Sequence, residues 1–258
     1  MVRLAANIST LFTEQPLGER IEAAAAAGFA AVEVQYPYAV PVAELRARLK
    51  AAGVPLILLN TPPGDPARGE RGHAGLPGRE AEFRDGFARA LEYAVGLGVG
   101  MIHVMSGVAP AGVQAAECLP TLMANLAWAG EQTPAGVRLM LEPINPIDVP
   151  GYLVSTQAMG AAIAAALGPR FGLQFDVYHV QRGEGDVIAR LRRYIDLIGH
   201  IQIAEVPGRG EPGTGELHWP HLFAAIEQAG YAGWVGCEYL PVAGTLAGLG
   251  WRERLVGG

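Results

Sequence analysis

The stretch HIQIAEVPGRGEPGTGELHWPHLFAAIEQAGYAGWVGCEY, residues 200–239, holds the fold in miniature. It opens on a short apolar run, crosses a loop rich in glycine and proline, and continues at 220–229 in a segment of helical character. Gly230 stands where that helix ends, and a second apolar run, 234–239, follows after a short turn. Helix, glycine stop, turn and buried strand form the repeating unit of a parallel sheet with crossover helices. The same phrase recurs as AGFAAVEV at 27–34, AAGVPLILL at 51–59 and GLGVGMIHV at 96–104.

Outward from that stretch, strand-like runs are read at 4–9, 31–35, 55–60, 101–105, 137–142, 171–176, 200–204 and 234–239. Helices are read between them at 16–27, 42–52, 78–96, 115–132, 156–166, 186–194 and 220–229. Eight such units in 258 residues, with no Pro/Ser-rich linker, predict an α/β chain folded as one (β/α)8 TIM barrel over 1–258. An open doubly wound sheet would use the same elements. However, no Gly-x-Gly-x-x-Gly follows the first strand and no P-loop is present, so that alternative lacks its usual anchor. Three long connections, 61–77, 143–155 and 205–218, leave the C-terminal ends of the third, fifth and seventh strands. Barrel active sites are built at that end.

Composition narrows the function. A net charge of −6 gives no broad basic surface for nucleic acid or anionic lipid. Cys118 and Cys237 are far apart and lack zinc-ligand spacing, which argues against a structural zinc site or a disulfide framework. No apolar run suits a signal peptide or a membrane span, so a cytoplasmic protein is expected. The expected partner is a small molecule, with no nucleic acid and no membrane; self-association stays open.

Polar residues at the ends of apolar strands carry the chemical signal. The fifth strand ends in Glu142, the sixth in Asp176 followed by His179, the seventh carries His200, Gln202 and Glu205, and the eighth ends in Glu238. A buried carboxylate must be paired, protonated or bound to metal. Oxygen ligands from four successive strands would cage a hard divalent cation, Mg²⁺ or Mn²⁺ rather than zinc. Each residue alone also has a plainer reading: a salt bridge or cap for Glu142, Asp176 and Glu238, an outward face for Gln202. His179 is placed to contact a substrate hydroxyl, and Arg209 to clamp a carboxylate or, equally, to form a surface ion pair. Glu205, His103, Asn7, Glu33 and Asn60 complete the candidate pocket lining, and Tyr239, Trp219 and Trp251 read as packing aromatics.

With these residues in place, the chain resembles the hydroxypyruvate isomerase family within the xylose-isomerase-like barrels, over essentially its whole length. The matching stretches include AANISTLFTE, NTPPGD, GLPGRE, HVMSGVAP, LEPIN, PGYLVST, QFDVYHVQ and HIQIAEVPGRGEPGTGE. The resemblance implies Glu142 and Glu238 as the catalytic acid/base pair, and Glu142, Asp176, Gln202 and Glu238 as metal ligands. It also implies an aldehyde–ketone isomerisation of a small hydroxy-keto acid, hydroxypyruvate first and 2-oxo-tetronate as the alternative. Leu240 departs from the pattern, which has lysine there, and that leaves the substrate open. Ketose 3-epimerases share the architecture but usually carry histidine in place of Gln202. A barrel endonuclease would need a multi-histidine zinc cluster and a basic face. A binding-only barrel would usually have lost one of the two glutamates.

Overall fold

The computed structural model describes residues 2–255. Eight strands close into a parallel barrel in chain order: β1 Arg3–Asn7, β2 Val32–Val34, β3 Leu56–Asn60, β4 Met101–His103, β5 Arg138–Leu141, β6 Phe171–Asp176, β7 Ile198–Ile203 and β8 Trp234–Cys237. The helices are α1 Arg20–Ala26, α2 Val42–Ala52, α3 Glu80–Leu97, α4 Ala115–Gln132, α5 Gln157–Leu167, α6 Val177–Gly183, α7 Val187–Tyr194, α8 Trp219–Gln228, α9 Thr245–Gly248 and α10 Trp251–Leu255. Among the described residues, no helix is long and apolar enough to cross a membrane.

The glycine punctuation is real. Gly53 and Gly98 end α2 and α3 at φ 69° and 72°, the left-handed conformation that residues with a Cβ resist. Apolar residues of strands and helices fill the layer between barrel and outer ring, with Phe87, Leu122, Phe175 and Trp219 all buried. Inside the barrel, Ala5, Ala31, Leu58 and Met140 close the N-terminal end. A Cβ on Gly199 would lie 2.7 Å from Met140 Sδ, so glycine on β7 makes room for the methionine that plugs the floor. Polar side chains occupy the interior above this plug.

Several elements differ from the sequence reading. The strand expected at 200–204 begins at Ile198, because Leu173 on β6 pairs with Ile198 on β7 before a register shift brings Gln174 opposite His200. The helix expected at 16–27 splits into a 3₁₀ turn, Leu17–Glu19, and α1. A third element, α6, falls where only a connection was expected. The Asp176 carboxylate accepts a hydrogen bond from Tyr178 N at 2.8 Å and starts a helix directly off β6.

Candidate active site at the barrel mouth

Period-two alternation along the strands decides which polar residues face inward. Asp176 pairs with Gln202 and Gln174 with His200 across β6 and β7; Asn7 pairs with Glu33 across β1 and β2. The deepest charged group is Glu33, fully buried, which accepts from Asn7 Nδ2 at 3.0 Å and Gln202 Nε2 at 2.8 Å and meets His200 Nε2 at 2.5 Å. Gly236 on β8 makes room for that carboxylate, since a Cβ there would sit 2.4 Å from its oxygens. These three partners are what let a carboxylate remain in the barrel interior.

Above this layer lies a cavity of about 340 Å³ whose wall includes Glu142, Glu238, His103, His179, Asn60 and Arg209. Glu142 follows β5 and Glu238 follows β8, and both are buried. A chain of amides joins them. Gln174 Nε2 donates to Glu142 Oε2 at 2.9 Å and to Gln202 Oε1 at 2.6 Å, and Gln202 Nε2 donates to Glu238 Oε2 at 2.6 Å. Asn7 Nδ2 donates to the same Glu238 oxygen at 2.6 Å, and Gln35 Nε2 to its other oxygen at 3.0 Å. Burial above all pushes the Glu142 carboxyl well above its ordinary range, and Glu238 and Asp176 add to the effect. Burial likewise raises Glu238 to about 8; Asp176 and Glu33 reinforce it, while the Arg209 guanidinium pulls it down.

Glu142, Asp176 and His179 each bring one donor atom within 4.8 Å of the others, an arrangement able to hold a metal ion. Burial holds His179 neutral, its pKa lowered to about 4. Asn145 Nδ2 donates to its Nδ1 at 2.7 Å, so the ring proton rides on Nε2. That nitrogen lies 3.6 Å from Glu142 Oε1 and 3.8 Å from Asp176 Oδ2. His103 is likewise held neutral by burial, at about 3, with Nδ1 3.2 Å from Glu142 Oε2 but without the alignment of a hydrogen bond. Asp176 does two things at once: Oδ1 caps α6 and Oδ2 accepts from Arg209 Nη2 at 3.2 Å.

Arg209 Nη2 also donates to Glu238 Oε1 at 2.7 Å. A positive charge therefore already sits between two of the carboxylates expected to hold a cation, which is the structure's own measure of how well the corner suits one. Gln202 faces the barrel interior and contacts Glu238 through its nitrogen, its oxygen being taken by Gln174. Glu205 is not brought to the cavity. Its carboxylate accepts from Val206 N, Gly213 N, Leu217 N and Trp219 Nε1, and so organises the 205–218 loop instead. Gln174, Gln35, Tyr36 and Arg71 belong to the site region without having been singled out in the sequence. For Gln174 a signal existed: it lies two residues before Asp176, hence on the same inward face of β6.

Comparison with known proteins agrees with the barrel fold. Residues 21–255 match the xylose isomerase-like TIM barrel family. The chain is 51% identical to a 2-oxo-tetronate isomerase of Cupriavidus necator over 100% of both chains. It is 42% identical to the hydroxypyruvate isomerase of Escherichia coli, covering 98% of this chain and 99% of that one. A crystal structure described as AP endonuclease, family 2, from Brucella melitensis superposes with a TM-score of 0.95 at 40% identity, over 98% of this chain and 99% of that chain. The chain is a member of the xylose isomerase-like TIM barrel family, and within it stands among the hydroxypyruvate and 2-oxo-tetronate isomerases.

Proposed function

We propose that the protein isomerises a short hydroxy-keto acid by moving a proton between C3 and C2, with Glu142 and Glu238 as the two proton-handling groups. The observation that supports this most is the pair itself: two buried carboxyls at the ends of β5 and β8, facing one cavity, with burial raising the pKa of each. A carboxyl with a raised pKa is suited to giving up and taking back a proton as general acid and base. In hydroxypyruvate a proton leaves the C3 hydroxymethyl carbon and one arrives at C2, while the hydroxyl proton passes from O3 to O2, giving 2-hydroxy-3-oxopropanoate. In 2-oxo-tetronate the same exchange occurs at the same two carbons, with a hydroxymethyl group on C3 in place of one hydrogen. One site chemistry therefore serves both acids. Relatives of both kinds are similar to the chain, 2-oxo-tetronate isomerases at 37–51% and a hydroxypyruvate isomerase at 42% identity, so both acids are carried as substrates.

A divalent cation, Mg²⁺ or Mn²⁺, would be held by the carboxylate oxygens of Glu142 and Asp176, with Glu238, which shares the Arg209 donor with Asp176, beside them. When bound, it supplies charge to stabilise the oxyanion that develops as the C–H proton leaves. The protein's own groups do the rest. One glutamate takes the C3 proton and the other delivers a proton to C2; His179, with Nδ1 engaged by Asn145 and its proton on Nε2, donates to a substrate oxygen rather than binding the cation. The Gln174–Gln202 bridge holds the two carboxyls in register. A nuclease reading draws less support, since the metal-binding group contains a single histidine among the described residues and the chain is acidic. Turnover of both acids by the purified protein, with Mg²⁺ or Mn²⁺ and then with chelator, tests the reading. Turnover abolished by chelation and restored by metal is expected.

A further inference from the structure

The cavity has a second arginine, and the two differ in what they face. Arg209 turns Nη2 to Asp176 and Glu238 and lies over the Tyr178 ring, 4.9 Å from its centroid. Its charge already faces two carboxylates, although its Nε finds no partner. Arg71, from the loop between β3 and α3, lines the same cavity, and its one hydrogen bond runs from Nη1 to the Glu70 carbonyl at 3.1 Å. No carboxylate among the described residues pairs with it. Other arginines around the loops at this end are paired: Arg79 with Glu70 and Glu82, Arg182 with Asp148, Arg190 with Glu184.

Arg71 is also held in place from both sides. On one side, the Glu70 carboxylate accepts from Asp65 N at 2.8 Å and Arg79 Nη1 at 3.1 Å and meets His73 Nε2 at 2.9 Å, tying the loop to itself. On the other, Gly72 has φ 99° and lies so close to β4's extension that a Cβ would sit 2.3 Å from the Met105 carbonyl oxygen. Gly72 N donates to Pro63 O at 2.7 Å and Gly75 N to Ser106 O at 2.8 Å. Tyr36 lines the same cavity, and its phenol donates to Met105 Sδ at 3.2 Å. Burial raises its pKa, Glu238 and Glu142 raise it further, and Arg71 opposes them, so the ring lies within electrostatic reach of both ends.

A hydroxy-keto acid is an anion entering a pocket whose catalytic corner carries three carboxylates. Like charges repel there, and an unanswered guanidinium is the complementary partner. We propose that Arg71 binds the substrate carboxylate and thereby sets which end of the acid points away from Glu142 and Glu238. The assignment rests on the hydroxy-keto acid reading above and names the residue that selects acids over neutral sugars. Because C1 is next to C2 in both candidate acids, the same arginine serves either chain length.

Steady-state kinetics on hydroxypyruvate and 2-oxo-tetronate with Arg71→Gln, Arg71→Lys and Arg209→Gln separate the possibilities. Arg71→Gln is expected to raise KM for the acid about ten- to hundredfold, with kcat within about threefold of wild type. Arg71→Lys keeps the charge but loses the planar fork and should recover part of the loss. Calorimetric titration of hydroxypyruvate into Mn²⁺-loaded Glu238→Gln protein, with and without Arg71→Gln, reads binding with turnover suppressed. If wild type turns over neither acid, the isomerase reading fails, while weaker binding by Arg71→Gln still upholds the arginine assignment. Unchanged KM and unchanged binding in Arg71→Gln, or a KM effect confined to Arg209→Gln, overturns it. An unfolding temperature near that of wild type shows that the variants fold.

Discussion

Arg209 Nη2 lies 2.7 Å from Glu238 Oε1 and 3.2 Å from Asp176 Oδ2, so a protein cation bridges the ends of β8 and β6. An incoming metal ion would meet that guanidinium at the position it needs.

Competition follows from this geometry. Arg209→Met removes the resident charge while keeping an apolar stem against Tyr178. Mn²⁺ affinity, read by calorimetry, should rise about tenfold, the worth of roughly one charged hydrogen bond. Affinity that is unchanged or weaker would mean that Arg209 does not contend for the corner.

Glu238 and Asp176 are expected to fail differently. Glu238→Gln retains an oxygen and nearly the same shape but cannot carry the proton. Turnover should fall by about 10²–10⁴ and stay low at saturating Mn²⁺. Asp176→Asn should recover a substantial part of its activity as metal is added, since no proton step is assigned to Asp176. Full recovery by Glu238→Gln at high metal would reduce Glu238 to a ligand.

Glu70 gives a pH dependence with a definite sign. Hydrogen bonds from the Asp65 backbone, then from His73 and Arg79, lower its pKa from 4.5 to about 2. A folded-state pKa below the ordinary value means stability that is complete above about pH 5 and lost as pH falls toward 2. Amide protection factors in the 61–79 loop, relative to the unfolded chain at each pH, should therefore fall over that interval. Glu70→Gln should show fast exchange at neutral pH and little further change on acidification. A pH-independent loop in the wild-type protein would contradict the assignment.

Much of this site is written in single residues of the sequence. Glu142, Asp176 and Glu238 interrupt apolar strands, and a carboxylate there has few cheap explanations. The barrel follows from repeated helix–glycine–strand phrases, because the chain must bury each strand on both faces. Three features were not legible, each because it depends on partners distant in sequence. Glu205 has the same strand-end position as Glu142 but is consumed by four donors from its own loop and from Trp219. Asp176 was open to two readings, cap or site residue, and the α6 start makes it a cap while Oδ2 faces Arg209. Arg71 sits in a glycine-rich loop where no periodicity marks an inward face, and only the fold of 61–79 turns it to the cavity.

The central claim, proton transfer between two different glutamates, is tested most directly by running the isomerisation in deuterated water with Mn²⁺ or Mg²⁺ and reading the product by NMR. If one glutamate removes the C3 proton and the other supplies C2, the proton delivered to C2 comes from a carboxyl that exchanges with solvent. The account predicts a product carrying close to one deuterium at C2 in its first turnovers. Rapid isomerisation with C2 free of solvent deuterium would mean that the substrate's own hydrogen is carried across, and would contradict the two-glutamate mechanism.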